Sequence, residues 1–561
     1  MHVNSLSWAP IHWGRRPILK HLDMSVCKFL TLLSVIVMAT GKVQAGKSKF
    51  FATLQDSLLK DLSQKIQNLH IPGLTLTDIR LLEPGDYTPK ATGKELTELP
   101  AFCLIAVSLR PFPTSLIRIE LWLPQKNWNG RFLGTGNGGG AGSIAYASLA
   151  GGLKQGYATA NTDMGTSRGG ADGAVGNPET WTDFGYRATH EMTVVSKAIL
   201  NLYYNKPARY AYFVGCSTGG QQALMEAQRF PGDYNGIVAG APANNRTHLH
   251  TDFLLNHALT NQGDTALFSV GELSYIGRKI GAAYAAISGG APGDSFLTDP
   301  RLVNVDFDAL FACKQGGKDS CLSDDKVAVL KKLYHGAVNP VSHEQIYTAP
   351  PVGSEGVGGG LLLQQTAAGA NSLFYQFKWV FGKDFNYQKF DYNKDQEKMD
   401  SMLAPLLNAN DPDLSALKKL GGKIIMYTGT ADPLVPFQDA VNYYERVISQ
   451  QQGLKETQSF FRYFLVPGMG HCSGGPGLNG FARNVLTDLV DWVEKKQAPE
   501  KLLANAFNCC VAEGPPRFQR PVFPYPKFPR YTGGDVHVAS SYTGVDHPRG
   551  KVVVPAAKYL K

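Results

Sequence analysis

The amino-acid sequence predicts an α/β fold built on a mainly parallel sheet that carries helices on both faces. Strand-like runs rich in aromatic and β-branched residues alternate with helix-forming stretches through two separated halves of the chain. The 561 residues exceed the length that one compact core accommodates, so we expect a main domain with a large insertion. The 60 glycines and 33 prolines follow no fixed period, which argues against a repeat architecture.

The first segment along the chain is an apolar run over 29–39, which follows Lys28 and precedes the small-residue ending at Ala45. Eleven apolar residues are too few to span a bilayer, and the pattern predicts a secretory signal peptide cleaved after Ala45. Residues 1–45 are therefore assigned to an upstream extension and signal peptide; an uncleaved amphipathic anchor is the alternative. We expect a secreted or periplasmic protein that is free of the membrane after cleavage.

Charge and composition exclude other classes of protein. The formal net charge of +9 falls to +5 once residues 1–45 are removed, and the remaining basic residues are scattered along the chain. Because no basic cluster or aromatic-interleaved stripe is present, we expect no nucleic-acid partner. A hydrophobic share of 43% with 18% charged residues is typical of a globular protein.

A strand-like run over 210–214 leads into Gly215-Cys-Ser217-Thr-Gly219, and helix-forming residues follow over 221–229. This order of strand, sharp turn and helix is the context that the Gly-x-Ser-x-Gly motif requires, because glycines let strand and helix approach closely around a strained serine. We therefore predict Ser217 as a nucleophile; a plain glycine-rich turn is the alternative.

A serine hydroxyl needs an imidazole to take its proton and a carboxylate to orient that imidazole. In α/β-hydrolases the chain order is serine, acid, histidine, with both partners on loops after late strands. Asp432 follows the strand-like run 423–427, and His471 follows the run 460–466 on a glycine-rich loop. We predict Asp432 as the acid and His471 as the base, with Asp439 on the next helix as the alternative acid.

Cys216 and Cys472 adjoin the predicted nucleophile and base, so they come within bridging distance if those loops meet. We predict a disulfide between them; two buried thiols are the alternative. Seven cysteines remain after cleavage, which leaves at least one unpaired. The pairing of three of them stays open: Cys103, Cys509 and Cys510. No cysteine or histidine cluster has zinc-ligand spacing, so no thiolate metal site is expected.

The tetrahedral intermediate of acyl transfer requires backbone N–H donors. One is expected from Thr218, the residue after the nucleophile. The second is expected from Gly138 or Gly139 in the glycine-rich loop over 134–142, which follows a short strand-like run. A phosphate-binding interpretation of this loop fails because no Gly-Lys-Ser/Thr ending follows it.

A set of short motifs is distributed along nearly all of the mature chain. They are Leu99-Pro-Ala-Phe-Cys103, Trp128-Asn-Gly-Arg-Phe-Leu-Gly134, Asp183-Phe-Gly-Tyr-Arg187, Gly215-Cys-Ser-Thr-Gly-Gly220, Gly240-Ala-Pro242, Asp413-Leu414, Gly421-Gly-Lys423, Ala431-Asp-Pro433 and Gly470-His-Cys472. With these motifs the chain resembles the tannase and feruloyl esterase family, which includes enzymes acting on small aromatic esters such as mono(2-hydroxyethyl) terephthalate.

The resemblance implies an α/β-hydrolase core over 46–244 and 421–561 and a lid domain over 245–420. It also implies the same three catalytic residues and the same linking disulfide. In the family the lid shapes an aromatic acyl pocket, for which Phe377 and Trp379 are the residues chosen here; a role in the lid core is the alternative. Other members of that aromatic run are Phe374, Tyr375 and Phe381.

Two departures from the family pattern limit the inference. Relatives carry an aspartate-rich calcium loop after a Cys-Asp pair, whereas the stretch 284–294 has almost no oxygen ligands and begins with Tyr284. We therefore expect no calcium, no other metal or cofactor, and no bridge at Tyr284, while Cys313 and Cys321 remain placed for a short lid disulfide. Thr428-Gly-Thr430 replaces the His-Gly-Trp that often precedes the acid, so contacts there are expected to differ.

These features predict a secreted serine carboxylic-ester hydrolase that acts on a small-molecule aromatic or phenolic ester through an acyl-serine intermediate. Two other hypotheses remain: a non-catalytic secreted binding protein of the same fold, and a peptidase or acyltransferase. The intact set of Ser217, Asp432 and His471 argues against the first. Neither the ester substrate nor the oligomeric state follows from the sequence.

Overall fold

The computed structural model describes residues 44–167, 170–263, 265–313, 321–481, 484–508 and 515–547. The apolar run of the predicted signal peptide lies outside this part of the chain, as do Cys509 and Cys510. Within the described ranges, no helix combines the length and the apolar character needed to cross a membrane.

The strands alternate with helices along most of the chain. The strands are β1 (Leu74–Leu82), β2 (Gly85–Tyr87), β3 (Leu96–Leu99), β4 (Phe102–Leu109), β5 (Ile117–Pro124), β6 (Arg131–Thr135), β7 (Ala158–Thr162), β8 (Tyr210–Cys216), β9 (Gly236–Gly240), β10 (Asn261–Gln262), β11 (Thr265–Ala266), β12 (Lys423–Gly429), β13 (Phe461–Val466), β14 (Leu502–Ala506), β15 (Phe518–Val522), β16 (Lys527–Tyr531) and β17 (Tyr542–Asp546).

The α-helices are α1 (Gln44–Gln67), α2 (Tyr146–Lys154), α3 (Gly170–Gly173), α4 (Pro178–Thr182), α5 (Ala188–Tyr204), α6 (Thr218–Arg229), α7 (Arg246–Thr260), α8 (Val270–Tyr284), α9 (Phe307–Phe311), α10 (Asp324–Leu333), α11 (Leu361–Gln364), α12 (Ala367–Leu373), α13 (Tyr375–Phe381), α14 (Lys394–Leu407), α15 (Ser415–Lys419), α16 (Phe437–Gln450), α17 (Leu454–Gln458) and α18 (Val485–Lys495). A π-helical turn, Asp183–Arg187, precedes α5, and the described ranges include 3₁₀ turns at Pro300–Leu302, Tyr387–Lys389 and Ala539–Ser541.

A nine-stranded sheet organises the molecule, in the order β1-β4-β5-β7-β6-β8-β9-β12-β13. The strands from β7 to β13 in this order are parallel, whereas β1, β4, β5 and β7 pair antiparallel. The short β4–β5 connection explains part of this edge, because parallel neighbours need a longer crossover. The prediction of an α/β fold with a mainly parallel sheet is confirmed.

The central strands are buried on both faces, which explains why they read as continuous apolar runs in the sequence. On β12, Ile424 and Met426 point into one core, and Ile425 and Tyr427 point into the other. Helices α1, α5, α6 and α16 cover the first face, and α18 covers the second. This two-sided burial keeps the carboxyl ends of β8, β12 and β13 at one edge, where their loops meet.

The chain between β9 and β12 leaves the sheet and returns to it, since these two strands are parallel neighbours. This inserted segment contains α7–α15 and has its own apolar core, which includes Phe268, Leu273, Phe311 and Leu330. It corresponds to the predicted lid, and its action as a lid stays a prediction. The structure contains the expected Cys313–Cys321 disulfide within it.

The segment after Pro515 packs against the main sheet and the inserted segment. Tyr525 donates its backbone N–H to the carbonyl of Tyr463 on β13, and Arg520 forms a two-pronged ion pair with Asp294 at 2.8 Å for each contact. Cys103 on β4 is a free thiol buried in the main core, and burial raises its pKa to about 12. A thiol with that pKa is inert at neutral pH.

Candidate active site

Ser217 lies in the turn between β8 and α6, with φ +65° and ψ −120°. A non-glycine residue rarely adopts this backbone conformation, so the surrounding packing must hold it. Its backbone N–H donates to the carbonyl of Gly240 at 3.0 Å, and its own carbonyl accepts from Gln221 and Ala243. The strand-turn-helix predicted around the serine is therefore present, and the side chain is partly exposed.

The glycines of the motif permit a close contact between three backbone segments. A Cβ on Gly215 would lie 2.2 Å from the carbonyl oxygen of Gly219, and one on Gly136 would lie 2.5 Å from the Cα of Gly219. Neither position can hold a side chain without moving backbone atoms. The glycine-rich loop after β6 is thereby packed directly against the turn that carries Ser217.

Asp432 and His471 form a direct hydrogen-bonded pair. His471 Nδ1 lies 2.8 Å from Oδ2 of Asp432, which is completely buried in the loop after β12. The other carboxylate oxygen accepts from the N–H groups of Leu434 and Val435, each at 2.9 Å. These bonds fix the carboxylate, and an Nδ1–H that donates to it leaves Nε2 as the basic nitrogen of the imidazole.

The structure contains the predicted disulfide between Cys216 and Cys472, whose Cα atoms are 5.9 Å apart. Ser217 follows one of these cysteines and His471 precedes the other, so the bond holds the serine and histidine loops side by side. The alternative of two buried thiols does not occur. The arrangement brings the three predicted catalytic residues into one site at the carboxyl edge of the sheet.

Asp439, the alternative acid, occupies a different environment on α16. Its Oδ1 accepts from Asn245 at 3.4 Å, and burial raises the pKa of this carboxyl. Since His471 bonds to Asp432, the geometry supports Asp432 as the orienting acid.

Thr218 connects the two loops that were expected to supply oxyanion donors. It is the first residue of α6, where the backbone N–H has no partner within the helix. Its hydroxyl donates to the carbonyl of Gly139 at 2.6 Å, and Gly219 donates its N–H to the carbonyl of Asn137 at 2.8 Å. The glycine loop therefore lies next to Thr218; donation by Gly138 or Gly139 stays a prediction.

A cavity of about 340 Å³ borders this glycine loop. Its walls come from the loop, from the segment after β7 and from the inserted segment: Gly140, Ala141, Gly142, Thr166, Ser167, Asn371, Ser372, Tyr375 and Trp379. Of the described residues that line the cavity, Trp379 has a buried indole Nε1 without a hydrogen-bond partner. A ligand with an acceptor oxygen would satisfy this group.

The two residues chosen from the aromatic run lie in different places. Trp379 lines the cavity, whereas Phe377 is fully buried between Phe385 and Phe390 in the core of the inserted segment. The burial of Phe377 on all sides agrees with the alternative that it belongs to the core of the lid. Contact with substrate stays a prediction, and the cavity supports it for Trp379.

Arg246 is a site residue that the sequence interpretation missed. It is 2% exposed, and its guanidinium donates to Thr218, Gly139 and Tyr375. The available signal was that it is the only lysine or arginine between residues 236 and 260. The hydrogen bonds between Arg246 and Tyr375 could not be predicted from the sequence, because the two residues are 129 positions apart in the chain.

The calcium loop of relatives does not fit the residues present here. In the stretch 284–294 the one carboxylate is Asp294, which is paired with Arg520 and also accepts the N–H of Ala291.

Elsewhere in the described chain, ligand atoms of His190, Glu226 and Asp233 lie within 4.8 Å of one another, at the end of α6 far from Ser217. The Lys197 ammonium donates to the Asp233 carbonyl and already supplies positive charge there. The expectation of no metal stays a prediction.

The sheet, the turn at Ser217 and the Asp432–His471 pair define an α/β-hydrolase. The family model described as tannase and feruloyl esterase matches residues 110–545. An uncharacterized esterase of Xanthomonas campestris is 33% identical over 531 residues, covering 86% of this chain and 91% of that protein. Feruloyl esterase B of Aspergillus niger is 30% identical over 459 residues, covering 79% of this chain and 86% of that protein.

The crystal structure of feruloyl esterase B from Aspergillus oryzae superimposes with a TM-score of 0.79 at 26% identity and covers 87% of this chain and 100% of that chain. The protein belongs to the tannase and feruloyl esterase family. It is a carboxylic-ester hydrolase, as the esterases among its relatives establish.

Proposed function

We propose that the protein is a secreted serine esterase that hydrolyses aromatic or phenolic carboxylic esters through an acyl intermediate on Ser217. The observation that carries the proposal is the 2.8 Å bond between His471 and Asp432, held beside Ser217 by the Cys216–Cys472 disulfide. A serine with a positioned imidazole and a buried carboxylate is the constellation that activates a hydroxyl for acyl transfer.

In the acylation step, Oγ of Ser217 attacks the ester carbonyl carbon while His471 Nε2 takes the hydroxyl proton. Asp432 stabilises the imidazolium that results and keeps its orientation. The negative charge that develops on the carbonyl oxygen is stabilised by the N–H of Thr218 and a second N–H from the glycine loop. The C–O bond to the alcohol then breaks, and His471 returns the proton to the leaving oxygen.

In the deacylation step, a water molecule takes the place of the alcohol. His471 removes a proton from the water as its oxygen attacks the acyl carbon, and a second tetrahedral intermediate forms. Its collapse breaks the bond to Ser217, which recovers its proton from His471. The products are a carboxylic acid and an alcohol, so the reaction needs no cofactor.

The preference for an aromatic acyl group is supported by the cavity beside the glycine loop. Tyr375 and Trp379 are the aromatic residues of its lining, and Thr166 and Ser167 are hydroxyl-bearing residues of the same lining. A volume of about 340 Å³ suits a single substituted aromatic ring. The name of the relative feruloyl esterase B agrees with a phenolic acyl group.

The test is hydrolysis of methyl ferulate, methyl gallate, mono(2-hydroxyethyl) terephthalate and p-nitrophenyl butyrate by the purified mature protein and by Ser217→Ala. We expect at least one aromatic ester to be turned over, with a loss of about 10⁴-fold or more in kcat in the variant. Turnover that survives in Ser217→Ala contradicts the serine mechanism. Faster turnover of the butyrate than of every aromatic ester contradicts the acyl preference.

The same assay distinguishes the other hypotheses. Cleavage of matched aryl amides at rates similar to the esters indicates a peptidase, and capture of the acyl group by added methanol in preference to water indicates an acyltransferase. Binding of the esters without turnover indicates a binding protein. Secretion is tested by expressing the full chain and locating the protein in the medium, the periplasm or the membrane fraction; retention with the membrane contradicts cleavage after Ala45.

A further inference from the structure

Arg246 is a buried cation that has no acidic partner in the described part of the chain. It is 2% exposed, and each of its hydrogen bonds ends on a neutral oxygen. One nitrogen, Nη1, is buried without any partner. A buried charge normally has a counter-ion, because desolvation of an unpaired ion costs several kcal/mol. The position of this cation therefore needs a functional explanation.

The guanidinium connects the two loops of the expected oxyanion hole. Nη2 donates to the hydroxyl of Thr218 at 2.8 Å and to the carbonyl of Gly139 at 3.0 Å, while the Thr218 hydroxyl donates to that same carbonyl. Residue 218 begins α6, and Gly139 belongs to the loop after β6. A single side chain thus fixes the distance between the elements expected to carry the two N–H donors.

The third contact extends the connection to the substrate cavity. Nε and Nη2 both donate to the hydroxyl of Tyr375, at 3.2 and 2.7 Å, and this residue lines the cavity beside the glycine loop. The face of Phe184 lies 4.9 Å from the guanidinium carbon and closes the other side. Arginine suits this place because its planar fork reaches several acceptors at fixed angles, which a lysine ammonium does not.

The charge itself has a consequence for the reaction. A neutral ester carries no net charge when it binds, and the negative charge appears only as the tetrahedral intermediate forms. An uncompensated cation next to the oxyanion loops therefore favours the intermediate over the bound ester. Such a difference raises kcat without tightening substrate binding.

We propose that Arg246 is a positioning residue of the oxyanion hole, which holds Thr218 and Gly139 in register and supplies uncompensated positive charge to the tetrahedral intermediate. The inference rests on the proposed serine-esterase function. It assigns Arg246 to rate enhancement and not to recognition of the substrate.

The test compares Arg246→Gln and Arg246→Lys with the wild-type enzyme on the best ester of the panel. Arg246→Gln is expected to lower kcat by about 100-fold, the effect of losing an oxyanion donor, with KM changed less than about threefold. Arg246→Lys keeps the charge but loses the fork, so it is expected to retain more activity than Arg246→Gln and less than the wild type. Thermal melting verifies that each variant is folded.

A second readout separates this role from a merely structural one. In an arylboronic acid complex, boron accepts an electron pair from Oγ of Ser217, the hydroxyl proton passes to His471, and a tetrahedral anion results. The inhibition constant for the boronic acid is expected to rise in Arg246→Gln by a factor similar to the loss in kcat. Affinity for the corresponding neutral aryl ether, which forms no anion, is expected to stay the same.

Several results overturn the inference. They are a wild-type kcat in Arg246→Gln, a rise in KM at constant kcat, and a fall in kcat without loss of boronic acid affinity. If Arg246→Gln does not fold, Arg246→Lys decides, because wild-type kcat and boronic acid affinity in that variant show that the fork is not needed. Turnover that persists in Ser217→Ala instead removes the proposed function itself, so the two failures are distinct.

Discussion

The disulfide between Cys216 and Cys472 joins the residue before Ser217 to the residue after His471. The loops that it connects follow β8 and β13, which are separated in the sheet by β9 and β12. No backbone pairing joins β8 to β13, so the covalent bond provides the direct link between the serine and histidine loops. It closes a loop over a sequence separation of 256 residues.

Removal of this bond in Cys216→Ser/Cys472→Ser is expected to lower both activity and stability. A misplacement of about 1 Å between Ser217 and His471 is enough to reduce kcat/KM by about 100-fold. The chain-entropy model gives a loss of about 5 kcal/mol in the free energy of unfolding as an upper figure. Ester hydrolysis and urea denaturation measure the two effects.

The matched control is Cys313→Ser/Cys321→Ser, which removes a disulfide of sequence separation 8 in the inserted segment. The same model gives about 2.5 kcal/mol for so short a loop, and no catalytic loop is attached to it. This variant is expected to keep kcat/KM within about threefold. An equal loss of activity in both double variants would show that the effect is global and unrelated to the catalytic loops.

Asp432→Asn is expected to lower kcat by about 10³–10⁴-fold with little change in KM, because an amide presents the wrong hydrogen-bonding group to His471 Nδ1. Asp439→Asn is the control, since the carboxyl of Asp439 is also buried but accepts a hydrogen bond from Asn245 and not from His471. It is expected to keep kcat within about tenfold. A larger loss in Asp439→Asn than in Asp432→Asn would reverse the assignment of the acid.

The fold and the site geometry were predictable where short-range sequence patterns determine them. The Gly-x-Ser-x-Gly turn is local, and Asp432 and His471 each follow a strand that is readable as an apolar run. The chain order of α/β-hydrolases then placed the three residues at one sheet edge. The Cys216–Cys472 pairing followed from the same geometry. If Ser217 and His471 meet in one site, the cysteines next to them in the chain must also lie close together.

The remaining features depend on packing between distant segments, which no local pattern records. Phe377 and Trp379 are two residues apart in one helical run, yet one lies in an aromatic core and the other lines the cavity. The packing of the whole inserted segment determines which face of α13 points to the cavity. The contacts of Arg246 reach across 28 to 129 residues, so the role of its guanidinium was invisible before the fold was known.

Gly215→Ala is expected to abolish activity and to destabilise the fold. Its Cβ would lie 2.2 Å from the carbonyl oxygen of Gly219, and neither the backbone of residue 215 nor that carbonyl can move without displacing Ser217. Overpacking of this kind costs about 1–3 kcal/mol. Gly151→Ala in α2 is the control, because nothing lies within 4 Å of the added Cβ. That change is expected to leave activity unaltered and to stabilise the helix by about 0.5–1 kcal/mol.

Asp252 on α7 predicts a pH dependence of stability that is separate from catalysis. Burial raises the pKa of its carboxyl to about 7, an effect that the N–H donated by Asn256 only partly offsets. The unfolded chain has a carboxyl pKa of about 3.9, so between pH 4 and 7 the folded state holds a proton that the unfolded state has released. This group therefore makes the folded state less stable as pH rises through that range.

Asp252→Asn removes the ionisation while its amide oxygen still accepts from Asn256. Relative to the wild type, the variant is expected to gain about 3 kcal/mol in the free energy of unfolding between pH 5 and pH 8, as measured by urea denaturation at both pH values. Asp391→Asn is the control: hydrogen bonds from Asn393 and Lys394 lower the pKa of Asp391, so its carboxylate stays ionised in this window. The Asp391 variant is expected to shift stability equally at pH 5 and pH 8. If the pH 5 to pH 8 difference is the same in Asp252→Asn as in the wild type, the buried carboxyl of Asp252 does not titrate in this range and the prediction is wrong.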